Sequence, residues 1–243
     1  MNDAHRLISP HEGLPFRDCL SLLHEIYRPS TYLEIGIRHG KSLALARCAS
    51  IGVDPKPQLT CDVHGAKPFL YLAECTSDAF FASQDPRALL GAPIDFAFID
   101  GLHLMEQVLN DFINVERFCS RTSIVVVHDC LPTDFYMTSR DPDARDIRDQ
   151  STNPGWWTGD VWKLVPILQR FRPDLQLELF NAPPTGLMVV TNLDPGSKVL
   201  ATRQSEILRE FQWLESEEER LRDFLSAAVI SSTDLLSAKA KRN

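Results

Sequence analysis

The sequence predicts a doubly wound α/β fold: a mostly parallel sheet of seven strands, helices on both of its faces, and an antiparallel hairpin at the C-terminal edge. Three observations predict it. Short apolar runs at residues 31–35, 50–53, 70–74, 94–99, 123–127, 175–180 and 186–190 have the length of strands. Stretches of helical period alternate with most of them, which is the pattern of parallel strands joined by crossover helices. The last two runs are separated only by residues 181–186, too few for a crossover, so they are expected to pair as a hairpin.

The elements follow in chain order. Phe16, Leu20, Leu23 and Tyr27 recur at helical spacing, and Pro29 with Ser30 stops that helix, which is expected to cover a sheet edge or the pocket. Residues 32–42, YLEIGIRHGKS, join the first strand to a helix. After the fourth strand, Met105, Val108, Leu109, Phe112 and Ile113 form one apolar stripe, with Glu106, Asn110 and Asn114 facing elsewhere. Residues 133–153 are polar. Asp134, Asp141, Asp143, Arg145, Asp146, Arg148 and Asp149 mark them as a solvated loop. The tryptophan-rich segment 155–163 then opens a helix with Val161, Leu164, Val165 and Leu168 facing the core, and is a candidate lid over a substrate. Packing is the commoner fate of such tryptophans. Beyond Pro195, a second stripe of Ile207, Phe211, Leu214, Leu221 and Leu225 is interrupted by the charged run 215–220 and is expected to lie across the core or a partner subunit.

At 243 residues the chain suits one core domain at 31–195, preceded by a helical segment 1–30 and followed by another at 196–243. The net charge of −8 repels phosphate backbones, and only Lys239, Lys241 and Arg242 form a basic cluster, so nucleic acid is not an expected partner. The six cysteines include no CxxC pair and read as reduced, mostly buried thiols. The opening residues lack the basic start and apolar run of a signal peptide, and no apolar stretch reaches the roughly 18 residues needed to cross a bilayer. The expectation is a cytoplasmic protein without a membrane partner.

Gly36 and Gly40 let the loop after the first strand turn tightly beside a small-molecule cofactor. A dinucleotide fingerprint would need further glycines where Arg38 and Lys41 stand, which disfavours NAD. Glu34, expected at the strand end facing the crevice, is suited to the cationic sulfonium and amino group of S-adenosylmethionine; Ser42 closes the same loop. Asp54 ends the second strand, where an acidic residue accepts hydrogen bonds from ribose hydroxyls. Thr76, Ser77 and Asp78 offer polar groups to an adenine, although a helix N-cap is an equally common use of such residues.

The succession LEIG, VDP, CTSD, FAFIDGLH and IVVVHDC resembles the class I methyltransferases, and IDGLH followed by HDC resembles their small-molecule O-methyltransferase subgroup. The likeness runs over residues 31–191. It implies a Rossmann-like fold with an antiparallel seventh strand, and S-adenosylmethionine as cofactor. Asp100, Gly101 and His103 follow the fourth strand and His128 with Asp129 the fifth, so both clusters are expected at the carboxyl edge beside the sulfonium. A neutral imidazole can accept the acceptor's hydroxyl proton near pH 7, which makes His103 the first candidate base, with His128 and Asp129 beside it. The bland alternative for His103 is a loop histidine that only binds backbone. In metal-dependent relatives, acidic groups at the places of Asp100 and Asp129 hold a magnesium-type cation; here His128 stands where an oxygen ligand is expected, so a divalent cation is only a candidate cofactor. Structural hydrogen bonding is an even alternative for both carboxylates.

The function expected is O-methylation of a hydroxyl on a small molecule, a sugar or natural product, by a chain that can self-associate. A non-catalytic cofactor-binding or regulatory protein, and less so an NAD-dependent oxidoreductase, are the rival readings.

Overall fold

The computed structural model describes residues 6–141, 143–212, 221–222, 224–225 and 229–242. In order, these form α1 (Phe16–Tyr27), β1 (Thr31–Ile35), β2 (Ala49–Val53), β3 (Leu70–Ala73), α2 (Ser77–Ser83), α3 (Pro86–Leu90), β4 (Ile94–Ile99), α4 (Met105–Glu116), β5 (Cys119–His128), α5 (Arg145–Arg148), α6 (Leu164–Phe171), β6 (Gln176–Phe180), β7 (Leu187–Thr191), α7 (Val199–Phe211), β8 (Val229–Ile230) and α8 (Asp234–Arg242). The strands make one sheet in the order β3-β2-β1-β4-β5-β7-β6-β8. The first five are parallel; β7 runs antiparallel to both β5 and β6, so the hairpin is present. The seven expected strands are all there. An eighth, the two-residue β8, adds parallel to β6 and takes over the sheet edge.

Alternation along the central strands sorts the core into two layers. Leu33, Ile35, Ile51, Val53, Ala97, Ile99, Val125 and Val127 face α2, α4, α6 and α7. Tyr32, Phe96, Phe98, Ile124, Val126 and Val189 face α1, through Cys19, Leu20, Leu23 and Ile26, and α8 through Leu235. Helix α1 has the range its spacing predicts, ends on Arg28 in the left-handed region, and covers a sheet face rather than an edge. In α4 the stripe of Met105, Val108, Leu109 and Phe112 is buried as expected, while Ile113 is half-buried.

The helix expected after β1 is not formed. Between Gly36 and β2 the chain makes a single 3-10 turn at Leu43–Leu45. Only a dozen residues are available there, and Gly40 with its left-handed backbone spends the middle of them on a turn held against Val63. The polar stretch 133–153 is also less solvated than expected at its start. Asp134 is buried and accepts from the Tyr136 and Thr152 amides and the Thr152 hydroxyl, whereas Asp141, Asp143, Asp146 and Asp149 are exposed. In the C-terminal stripe, Ile207, Phe211, Leu221 and Leu225 are buried in the same core; Leu214 and residues 215–220 lie outside the described residues. Four of the six cysteines are buried and all are free thiols. Among the described residues no helix is long and apolar enough to cross a membrane.

Candidate active site

The turns after β1, β2, β3, β4 and β5 all emerge at one edge of the sheet, because parallel strands deliver their C-terminal ends to the same side. There they enclose a cavity of about 640 Å³. Its walls bring together Gly36, Asp54, Thr76, Ser77, Asp78, Asp100, Gly101, His103, His128 and Asp129, ten residues that the sequence marks from five separate segments. At Gly36 the backbone is left-handed and a Cβ would lie 1.9 Å from the Asp100 carbonyl oxygen, so only glycine lets β1 and β4 end side by side at the cavity.

Glu34, Gly40 and Ser42 do not line it. Residues Tyr32 and Glu34 point to the sheet face that α1 covers, and there Glu34 is fully buried. The Tyr32 hydroxyl donates to Oε2 (2.7 Å) and the Ser42 hydroxyl to Oε1 (2.5 Å). Glu34 therefore braces the loop from behind instead of facing the crevice. Burial, against the pull of those two hydroxyls, pushes its pKa up to about 8. A carboxyl whose folded value lies above its ordinary one binds an extra proton in the folded state, so folding is favoured at low pH and that advantage is lost as pH rises from about 4.5 to about 8. Replacing Glu34 by Gln, which stays neutral, should remove a slope of up to about 1.4 kcal/mol per pH unit from denaturant-unfolding measurements across that window. An unchanged slope would mean that Glu34 is ionised throughout.

At the cofactor end of the cavity, Asp54 Oδ2 accepts from the Arg38 amide and Oδ1 from the Lys56 amide, both at 2.7 Å. Each oxygen keeps a second lone pair for a ligand. Thr76 caps α2 by accepting from the Ala79 amide, so the capping use is realised. Ser77 donates to Asp111 at 2.6 Å and Asp78 accepts from Asn110 at 2.6 Å and Gln107 at 3.2 Å, which ties the β3 turn to α4.

At the other end four ionisable groups meet. His103 Nε2 lies 3.1 Å from Asp129 Oδ2 and 3.6 Å from Asp100 Oδ1. His128 Nδ1 lies 3.2 Å from Asp100 Oδ1 and 3.3 Å from Asp129 Oδ2. The carbonyl of Trp157, which can only accept, takes the other nitrogen of His103 at 2.7 Å, so Nδ1 carries a proton. Burial alone would lower His103, but Asp129 and Asp100 outweigh it and push the ring up to about 9; the same carboxylates take His128 up to about 10. Against its own burial, Asp100 is held well below the usual carboxylate range by His128 and His103. In this arrangement the neighbouring Asp100 and Asp129 side chains favour the charged form of His103, so its action as a base depends on what else enters the cluster.

The third wall comes from the segment before α6. Gly155, Trp156 and Trp157 line the cavity, and Trp157 stacks on His103 with ring centroids 4.9 Å apart. Gly159 is left-handed, and the Asp160 amide donates to the His103 carbonyl at 3.2 Å. Asp160 is itself buried, accepts from the Met105 amide at 2.7 Å and pairs with Arg140 and with Lys163. Sequence reasoning missed Thr185, whose hydroxyl donates to Asp129 Oδ1, and Gln107 and Arg38 in the wall. The hairpin brings Thr185 next to Asp129; the Pro183, Pro184, Thr185 sequence was the available signal for a loop of fixed shape. Asp129 has a left-handed backbone (φ 61°), a region that few residues other than glycine adopt and that Asn and Asp enter more readily than most.

Comparison with known proteins agrees with this architecture. Residues 33–130 match the family model described as a methyltransferase domain. No curated protein matches the chain. Among solved structures, it is similar to the O-methyltransferase TomG from Streptomyces achromogenes, involved in tomaymycin synthesis and in complex with S-adenosylmethionine, at 15% identity over 74% of this chain and 80% of that one, with a TM-score of 0.54. Similar too are the S-adenosylhomocysteine-bound methyltransferase PaMTH1 of Podospora anserina, at 13% identity over 74% and 78% (TM-score 0.51), and an O-methyltransferase of Bacillus cereus in complex with S-adenosylhomocysteine, at 14% over 74% and 83% (TM-score 0.50). At such identities the likeness is one of fold. The strand order, the edge cavity and the matched segment agree: residues 33–130 match a methyltransferase domain, and the chain has the fold of these methyltransferase structures.

Proposed function

We propose that the protein transfers a methyl group from S-adenosylmethionine to a hydroxyl of a small molecule, a sugar or natural product, with the His103, Asp129 pair receiving the hydroxyl proton. One observation carries this reading: His103 Nε2, Asp100 and Asp129 converge at the end of a cavity whose other end is Asp54. The cavity has the size of a small-molecule site, and Asp54 has free lone pairs for two ribose hydroxyls. The cofactor supplies an electrophilic methyl on a sulfonium. Gly36 and Gly101 let the backbone approach it closely, and Trp156 and Trp157 present an apolar wall to the acceptor and keep water out. Held by the Trp157 carbonyl, His103 presents Nε2 to the position where an acceptor oxygen would sit. His103 becomes a base once positive charge beside Asp100 and Asp129 offsets those carboxylates.

A metal-assisted variant is favoured by a separate observation: ligand atoms of Asp100, His103 and Asp129 lie within 4.8 Å of one another. This mixed oxygen and nitrogen set fits a manganese-, iron- or zinc-type cation better than magnesium, and such an ion would polarise the acceptor hydroxyl. His103 cannot at once ligate through Nε2 and accept a proton there. The variant therefore holds the ion on the carboxylates and leaves the ring free, or uses the ring as a ligand and needs no base.

Calorimetric titration with S-adenosylmethionine, S-adenosylhomocysteine and NAD, with and without chelator, tests the reading. The first two are expected to bind, and Asp54→Ala to weaken both by about 10- to 100-fold through loss of charged hydrogen bonds. The variant's melting temperature separates lost contacts from a loosened loop. Binding of NAD alone would overturn the proposal. A screen of hydroxylated acceptors for S-adenosylhomocysteine release follows; activity lost with chelator selects the metal-assisted variant.

A further inference from the structure

Behind the cavity, and outside its walls, Asp160 and Lys163 are paired at 2.8 Å with side chains only 1% and 2% exposed. Arg140 joins them from the polar stretch, bonding Asp160 Oδ2 with one guanidinium nitrogen and Glu106 with the other at 2.7 Å. Lys163 also donates to the Gln212 carbonyl at 3.3 Å. Taking such charges out of water offsets most of their mutual attraction, and apolar residues of the same volume serve stability at least as well. Stability alone therefore does not account for the group. Its geometry does, because Asp160 grips the segment that carries His103 on both sides of the ring. Helix α4 begins at Met105, and its N-cap residue, Leu104, has no side-chain acceptor, so the buried Met105 amide lacks a local partner. Asp160 Oδ1, 55 positions along the chain, accepts from that amide at 2.7 Å, and its negative charge suits the positive end of α4. The Asp160 amide donates to the His103 carbonyl at 3.2 Å. Lys163 and Arg140 both hold Oδ2, which fixes the plane of the carboxylate and leaves Oδ1 to Met105.

We propose that Asp160 is a positioning residue for His103: by capping α4 from a distant segment and holding the His103 carbonyl, it keeps the ring between the Trp157 carbonyl and Asp129. The inference rests on the reading of His103 as the base. With the backbone held at the His103 carbonyl and at the Met105 amide, Nδ1 stays 2.7 Å from the Trp157 oxygen and Nε2 3.1 Å from Asp129. Proton transfer depends on distances of this kind. The charged half of the 155–163 segment thereby has a task distinct from that of the tryptophans, which line the cavity.

Imidazole proton resonances of the intact, ligand-free protein at fixed pH test this without an acceptor. Lys163→Met is the background, because it removes the buried cation that a neutral residue at 160 would strand, and Asp160 there keeps Arg140 as its partner. In that background Asp160→Asn retains an oxygen for the Met105 amide and Asp160→Ala retains none. The Nδ1 proton of His103 is expected to exchange with water at least about tenfold faster in the Ala form and near the background rate in the Asn form. The ring signals of His24, which stacks on Phe96 on the opposite sheet face, should stay unchanged in both. Background-like exchange in the Ala form would overturn the proposal. So would equal acceleration in the Asn and Ala forms, or a disturbance that reaches His24, since these are the patterns of charge loss or of general loosening. His103→Asn tests the base separately: normal turnover in that variant would remove His103 from the chemistry and leave the exchange rates as they are.

Discussion

Replacing His103 by Asn is expected to lower the turnover number by about 10²- to 10⁴-fold, the range of a lost general base, while S-adenosylhomocysteine binds nearly as before. Asn is the informative substitution because its side-chain amide can still donate to the Trp157 carbonyl that now takes Nδ1, at 2.7 Å. The fold of the 155–160 segment is then kept and only Nε2 is lost. A change confined to kcat, with KM for the cofactor unaltered, places His103 in the reacting centre. A purely structural histidine would give the opposite pattern: near-normal turnover in Asn and a loss in Ala, where the Trp157 carbonyl is left without its donor. Exogenous imidazole restoring part of the rate in the Ala variant would support the first result.

Gly159→Ala is expected to have the largest effect on the scaffold. The residue is left-handed, with φ at 51°, and a Cβ there would lie 1.8 Å from the His103 carbonyl oxygen and 3.0 Å from its Cβ. Both obstacles are backbone or near it, so no rotamer change relieves them. The conformational penalty alone is about 1 kcal/mol, and the overlap forces the segments apart, for a total of roughly 3 kcal/mol or more. In a chain of this size that lowers Tm by about 6–12 °C. Because the same displacement moves His103 away from Asp129, activity measured well below the melting temperature should also fall, by about 10²-fold for a shift near 1 Å. A variant that melts like the parent and turns over normally would show that the segment yields without moving His103.

Most of the cavity was legible because a parallel α/β sheet has a simple rule: whatever follows each strand gathers at one edge. Gly36, Asp54, Asp100 and Asp129 each end or follow an apolar run, and all four line the cavity. Glu34 was misplaced by the same reasoning. Alternation puts Glu34 on the face of Tyr32, so the sequence does tie the two together. Which helix covers that face is settled by long-range packing of α1, and this is what buries the carboxyl. The missing helix after β1 had a local cause, the turn at Gly40, but its contact is with Val63. The protonation of His103 was out of reach for a further reason. Its pKa is set by Asp100 and Asp129, the second 26 positions away in the chain, and by distances near 3 Å on which the electrostatic energy depends steeply.

By itself, then, the sequence determined the layer order of apolar runs, the hairpin, and the groups delivered to the carboxyl edge, since these depend on hydrophobic period, chain length between strands and the direction of the strands. Only the tertiary structure decided which side chains face the cavity and that Thr185 and Trp157 clamp Asp129 and His103, because each of these is a meeting of segments distant in the chain and no local preference encodes the meeting.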